Sequence, residues 1–421
     1  MASEARHVHD HDSAEGLLPV EDYRDRVLSQ VEPLLPIDLH LQEALGCVLA
    51  ADMRAPEEMP GFSSSAMDGY AVRSMDVADA APGAPVELRV AGRARIGRRP
   101  DAVVGGGEAV RIDTGAPIPA GADCVVPIEN CIEGVDVAQI LEAVASGRHV
   151  RPAGEDAEPG DLLVKARRRL AAPELGILAA AGFARVPVYP RPRVVILSTG
   201  DELVEPGRTP EFGQVRDSNA YTLYAAVTEA GGRPILGGIV SDDVDQFRES
   251  LLSQLVQADA FISSGGVSVG ERDVVKRAFF KRGEVDFTRV AMQPGMPQAF
   301  GDLEGKPYFG LPGNPVSAFV SFEMFVRPAL LQMAGRRDLR RPEVVAMMDD
   351  EISGPTGKTV FARVRVHRTE DGLHAQSSGG RSSNLFRTVT RANGLAVIPP
   401  GVERIEAGQQ AAVIVFRTLT E

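Results

Sequence analysis

Phe261-Ile262-Ser263-Ser264-Gly265-Gly266-Val267-Ser268-Val269-Gly270-Glu271-Arg272-Asp273 is the stretch on which the reading of this chain turns. Ala260, Phe261 and Ile262 form a short apolar run after Asp259, as a buried strand does. Small residues from Ser263 to Gly266 then break it. Paired glycines permit positive φ and let an anion approach main-chain N–H groups. Residues 273–280 follow with helical spacing of Val274, Val275, Ala278 and Phe279. Strand, Gly/Ser turn and helix in that order make a phosphate cradle at a helix N-terminus. Asp273 suits either a helix cap or a divalent-cation ligand. Glycine turns follow strands in many folds, so this signal alone is weak and its neighbours decide.

The neighbours repeat the pattern. Val194 to Leu197 is a continuous apolar strand of the kind buried on both faces of a parallel sheet, and it runs into Ser198-Thr199-Gly200-Asp201-Glu202. A helix from Asn219 stops at Gly231-Gly232, and a second strand from Pro234 ends in Ser241-Asp242-Asp243. Tyr308 to Leu311 is a further strand, ending in Pro312-Gly313-Asn314-Pro315 before another helix. Strands alternating with helices predict a doubly wound α/β sheet over residues 189–335. Ligands of such sheets sit beyond the C-terminal strand ends. Thr199, Gly200, Ser264, Gly265, Gly266 and the Pro312–Pro315 turn therefore become candidate binding residues. Glu202, Asp242 and Asp273 become a candidate Mg²⁺ set of oxygen ligands. Each acid alone is more often a helix cap; several at one rim favour a site.

The totals bound the answer. A chain of 421 residues implies several domains. Apolar content of 44% is ample for cores, and with 5% aromatics and no Trp these rest on Val, Leu, Ile and Ala. A net charge of −13 argues against nucleic acid or anionic membrane as a general partner. Cys47, Cys124 and Cys131 lack metal-ligand spacing and read as reduced, buried thiols of a cytoplasmic protein. No apolar run is long enough to span a bilayer. Residues 1–16 are polar, carry His7, His9 and His11, and read as a disordered leader.

Residues 19–55 and 157–188 read as largely helical, the second opening at Pro173, and together (17–55 with 151–188) are expected to form an elongated helical or mixed domain. Residues 56–150 alternate apolar and polar positions between glycines and read as a small inserted β domain. Its loop Phe62 to Tyr70, with Ser63, Ser64, Ser65 and Asp68, has the composition of a polar site wall. Asp113 and Thr114 sit in a Pro-punctuated turn that fixes them, and Arg151 to Asp156 close the segment with another charged turn. Residues 336–421 carry strands of period two and read as a small β-barrel or sandwich. Its loop 377–387 presents Arg and Ser donors suited to an anion.

The chain resembles the molybdopterin molybdenumtransferase family, bacterial MoeA and the E domain of gephyrin. The resemblance runs from about residue 17 to the C-terminus. It rests on FSSSAMDGYAV (62–72), RIDTGAPIPAGAD (111–123), RPAGED (151–156), STGDEL (198–203), ISSGGVSVGERD (262–273) and GLPGNPVSA (310–318). It implies a multidomain α/β and β fold with a C-terminal β-barrel, and a homodimer. It also implies insertion of molybdenum into molybdopterin, with Mg²⁺-dependent hydrolysis of adenylylated molybdopterin in the presence of molybdate. By the same resemblance Glu202, Asp242 and Asp273 serve the metal and reacting phosphates. Ser264, Gly265, Gly266, Ser268 and Gly270 cradle the pterin phosphate or pyrophosphate, with Thr199, Gly200 and Lys276 beside them. Pro312, Gly313, Asn314 and Pro315 shape the pocket. Asp68, Thr114, Arg151 and Asp156 form a second wall, and Arg363 and Ser383 lie on the anionic-ligand side. An upstream adenylyltransferase and recipient molybdoenzymes are implied as partners.

One departure stands out. Many members carry a Lys-Pro-Gly-Lys-Pro run, where this chain has Gln293-Pro294-Gly295-Met296-Pro297. Loss of two cations predicts weaker molybdate binding, with Arg289, Lys276 and Arg363 as candidate compensating charges. Two other classes fit parts of the pattern. An adenylyltransferase of the related small pterin-binding family has the SGG sheet domain alone, and a gephyrin-like scaffold needs no acids at the sheet rim.

Overall fold

A computed structural model describes residues 16–267, 274–279, 285–380 and 382–418. Ser268, Gly270 and Asp273 of the candidate site, and the expected leader apart from Gly16, lie outside the described residues. The chain forms two compact units. One comprises residues 1–38, 46–50 and 187–421; the other comprises residues 39–45 and 51–186.

The larger unit is built on a six-stranded sheet in the order Arg233–Val240, Arg193–Thr199, Ala260–Ser264, Lys306–Leu311, Pro297–Leu303, Val285–Arg289. The first four strands are parallel, and Pro297–Leu303 runs antiparallel to both its neighbours, Lys306–Leu311 and Val285–Arg289. Alternation along one strand explains why it reads as uninterrupted apolar sequence. Val194 and Ile196 enter one core with Leu223, Val227, Val320 and Phe325, while Val195 and Leu197 enter the opposite core with Phe247, Phe261 and Phe279. The sheet is thus buried on both faces, which is the doubly wound arrangement expected from sequence.

The C-terminal region closes a barrel. Thr359–Thr369 pairs with Gly372–Ser377, then follow Glu343–Met348, Gln410–Val415 and Gly394–Ile398, which returns to Thr359–Thr369. Val360, Val364, Val366, Ala375, Ala396 and Val413 fill it. The barrel is tied to the sheet body by the parallel pairing of Met292 and Gln293 with Thr359 and Val360.

The N-terminal helical reading holds only in part. Val20–Ser29 is a helix that buries Val20, Tyr23, Arg24 and Val27, with Tyr23 edge-on to Phe325 at 4.8 Å. After it, only Leu41–Ala44 is helical before residue 55; Ile37–His40, Val48–Leu49 and Met53–Arg54 are strands. Pro33 and Pro36 interrupt the ladder, since proline lacks the N–H a helix interior needs. In 157–188 the helix is confined to Ala172–Ala180, flanked by strands Leu162–Val164 and Arg185–Tyr189. Gly182, at φ +84°, follows its end. The smaller unit holds a six-stranded sheet, Cys124–Pro127, Gly69–Val72, Glu108–Ile112, Val86–Ala94, Val137–Ile140, Cys131–Glu133. None of the three cysteines is in a disulfide; burial pushes the thiols of Cys124 and Cys131 up to about 12.

One buried ion pair anchors the connector between sheet body and barrel. Glu323, in the π-helical stretch Phe322–Val326, has a side chain 2% exposed. Arg341 grips both its oxygens, Nε to Oε2 and Nη2 to Oε1, each at 2.9 Å. Such pairs add little net stability, but removing one partner strands a buried charge. Arg341→Ala is expected to cost about 3–5 kcal/mol, read as a lowered denaturation midpoint.

Candidate active site

The order of the parallel strands reverses between Arg193–Thr199 and Ala260–Ser264: the first crossover leads to Arg233–Val240 on one side, the next to Ala260–Ser264 on the other. At such a switch point successive connections leave in opposite directions and a crevice opens beyond the strand ends. The strands stay together up to Ser198 and Ser264, which are register partners with hydroxyls 3.4 Å apart. Thr199 Oγ1 donates to the Ser264 carbonyl at 3.4 Å. Beyond them lies a cavity of about 690 Å³.

Thr199, Gly200, Glu202, Asp242, Ser264, Gly265, Gly266 and the whole Pro312–Pro315 turn line this cavity, so residues far apart in sequence share one wall. Gly265 has φ +93°, and a Cβ there would lie 2.6 Å from the Thr199 carbonyl oxygen. Its own N–H donates to Leu311 O at 3.0 Å. Gly265 therefore shapes the turn, and the N–H groups of Gly266 and Val267 bond no acceptor among the described residues. Gly200, at φ +147°, lies against Glu202: a Cβ there would come within 2.5 Å of the Glu202 carboxylate.

The acids form a like-charge cluster. Asp242 N–H donates to Asp201 Oδ1 at 3.1 Å. Burial, then Asp201 and Glu202, push the Asp242 carboxyl above its ordinary value. A carboxylate held among carboxylates is a donor set for a hard cation. Among the described residues no three His, Cys, Asp or Glu side chains are placed to hold a metal together. Of the three expected ligands, Glu202 and Asp242 line the cavity, and Asp273 is outside the described residues.

Other candidates fall elsewhere. Lys276 is half-buried on the helix Val274–Phe279 and does not line the cavity. Arg363 is 5% exposed; its Nε donates to Thr388 Oγ1 at 3.1 Å and its Nη2 to the Gly380 carbonyl. It lines a separate cavity of about 160 Å³. Ser383 receives the Val316 N–H on its carbonyl at 3.2 Å, and its neighbour Asn384 is the barrel residue that reaches the main cavity. Gln293 and Met296 line a third space of about 300 Å³ with Lys358, which is buried. Arg289 Nη2 lies 3.8 Å from Met296 Sδ.

In the smaller unit, Asp68 accepts the Thr114 N–H at 2.7 Å, and this bond with the Thr114 side chain holds its carboxyl below the usual range. Asp113 pairs with Arg93 at 2.8 Å. Arg151 is the register partner of Ser64, and Asp156 N–H donates to Met59 O at 2.9 Å. Gly115 N–H and Ala66 N–H also bond Ser65 O and His149 O, so the backbones of these three loops are joined at residues 63–66.

Sequence reasoning missed Arg216, Asp217, Ser218, Asn219 and Asn384, all of which line the main cavity. Three consecutive polar residues before a helix, Asp217-Ser218-Asn219, were the available signal. Ordinary helix capping conceals it: Asp217 Oδ1 does accept the Ala220 N–H at 3.1 Å.

If the acid cluster is under like-charge strain, Asp242→Asn relieves it. The variant is expected to melt at a higher temperature than the parent in chelator-containing buffer; an unchanged or lower midpoint counts against the cluster.

Comparison with known proteins agrees with this architecture. Family models match residues 18–182 (MoeA N-terminal region, domains I and II), 195–332 (probable molybdopterin binding domain) and 345–416 (MoeA C-terminal region, domain IV). The chain is 41% identical over 400 residues to molybdopterin molybdenumtransferase 2 of Mycobacterium tuberculosis, covering 94% of this chain and 98% of that one. It is 34% identical over 409 residues to molybdopterin molybdenumtransferase of Haemophilus influenzae, covering 96% and 100%. A crystal structure of a molybdopterin biosynthesis MoeA protein from Pyrococcus horikoshii superposes with a TM-score of 0.83 at 32% identity, over 96% of this chain and 100% of that one. In its motifs, its domains and its fold from end to end, the chain belongs to the MoeA family of molybdopterin molybdenumtransferases.

Proposed function

We propose that this protein inserts molybdenum into molybdopterin during molybdenum cofactor biosynthesis, taking adenylylated molybdopterin and molybdate and releasing AMP by Mg²⁺-dependent hydrolysis. The observation that carries the reading is one cavity, at the switch point of a sheet of this family, pairing a glycine turn with an acidic rim. Hydrolysis of a phosphoanhydride needs charge neutralisation and an oriented water more than a covalent nucleophile. The N–H groups of Gly266 and Val267 donate to a phosphate oxygen. Glu202 and Asp242, with Asp273 as the third ligand, hold Mg²⁺, which supplies charge neutralisation when bound. The Pro312–Pro315 turn bounds the cavity and limits the poses a ligand can take. The same reading includes a homodimer and transfer of the product to recipient enzymes.

The test is incubation of purified protein with adenylylated molybdopterin, Mg²⁺ and molybdate, following AMP and active cofactor. AMP release is expected to need all three, and Glu202→Gln is expected to lower it roughly 100-fold. Added Mg²⁺ should raise the melting temperature of the parent and not of Asp242→Asn. Formation of the adenylate from ATP and molybdopterin would instead indicate the adenylyltransferase activity, and no turnover in either direction a scaffold.

The cavity around Gln293 and Met296 has Lys358 where family members place additional lysines. Gln293→Lys with Met296→Lys is expected to lower the molybdate concentration giving half-maximal turnover by about tenfold, the effect of one well-placed charge contact. An unchanged molybdate dependence removes that expectation.

A further inference from the structure

The start of the helix Asn219–Glu229 and Asp217 just before it bring two acceptors to the wall of the main cavity that the proposed chemistry does not use. Asp217 is 5% exposed. Its Oδ1 is held by the Ala220 N–H, and its Oδ2 meets no donor among the described residues. Asn219 is 8% exposed. Its Nδ2 donates to the Gly313 carbonyl at 2.8 Å, and because a carbonyl only accepts, this contact fixes which way the amide is turned. Its Oδ1 is buried with no partner among the described residues. A buried acceptor without a donor costs free energy that a ligand N–H would recover.

Phosphate and molybdate are oxyanions that offer acceptors, so they cannot fill these positions. The cavity is instead divided: main-chain donors at Gly266 and Val267, acceptors at Asp217 and Asn219. We propose that Asp217 and Asn219 read the ring amine of the substrate, accepting hydrogen bonds from an amino group or ring N–H of a heteroaromatic ring and so selecting aminated over deaminated ligands. The inference rests on the function proposed above, whose substrate carries such an amine at both ends, on its pterin and on its adenine.

Binding to the full-length protein tests it with two probe pairs. One is AMP against purine riboside 5′-monophosphate, which lacks the 6-amino group. The other is 6-hydroxymethylpterin against the corresponding lumazine, with oxygen in place of the 2-amino group. The parent is expected to favour the aminated member of one pair by about tenfold, and the pair showing this identifies which ring faces the two residues. Asp217→Asn keeps the cap on Ala220 but turns the second atom from acceptor to donor. Asn219→Leu removes the other acceptor. Each should cut the preference to about twofold or less by weakening the aminated ligand alone, with a single cooperative melting transition as the folding control. A parent without preference in both pairs, or variants that retain it, overturns the inference. A protein that shows the preference yet releases no AMP refutes the proposed function and leaves this inference standing; one that turns over without preference refutes the inference alone.

Discussion

Two parallel strands that must part at one height govern this site. Arg193–Thr199 and Ala260–Ser264 hold register to the pair Ser198 and Ser264, then leave in opposite directions. Backbone groups freed at such a parting must find partners or face a ligand. Here Gly200 N–H turns to Val240 O and Gly265 N–H to Leu311 O, each bonding an adjacent strand. At Gly265 a Cβ would meet the Thr199 carbonyl oxygen at 2.6 Å, and at Gly200 it would meet the Glu202 carboxylate at 2.5 Å. Small residues at these positions follow from the crowding, and the donors beyond them are left for whatever occupies the cavity.

The acids are tolerated for a different reason. Asp201, Glu202 and Asp242 repel one another across strand ends that the sheet fixes in place. Neighbours can relieve such repulsion by pairing: Arg193 and Asp259 do so at the opposite end of the same strand, at 2.7 Å. Arg216, on the cavity wall, instead donates through Nε to the Arg208 carbonyl at 3.0 Å. The fold thus pairs its charges where they are structural and leaves them concentrated at the rim, a pattern suited to cation binding.

What was legible follows from how local each signal is. The buried strands could be read because a sheet covered on both faces forces runs such as Val194 to Leu197, and the rule for strand ends then placed Glu202, Asp242 and Ser264 on one wall. The stretch 30–55 misled because short strands and one turn of helix can share apolar positions at mixed spacing; only the prolines told them apart. Asp217 and Asn219 were hidden because each makes an ordinary local bond, to Ala220 and Gly313, while the informative atom is the one without a bond. Such an absence depends on every neighbouring residue at once and leaves no trace in spacing.

Arg363 shows the same limit for charge. A basic residue beside a Ser- and Gly-rich loop suggests an anion contact, and the resemblance points there too. In the fold its guanidinium is buried, which lowers its pKa, and it donates to Thr388 and to the carbonyls of Gly380 and Ser382. Five donors in a planar fork suit the gathering of a loop as well as the grip of an oxyanion. That loop carries Ser383, whose carbonyl takes the Val316 N–H, and Asn384, which enters the main cavity. In this arrangement Arg363 affects the cavity through the loop it gathers. A lysine in its place would keep the sign and lose the planar fork that makes these bonds together.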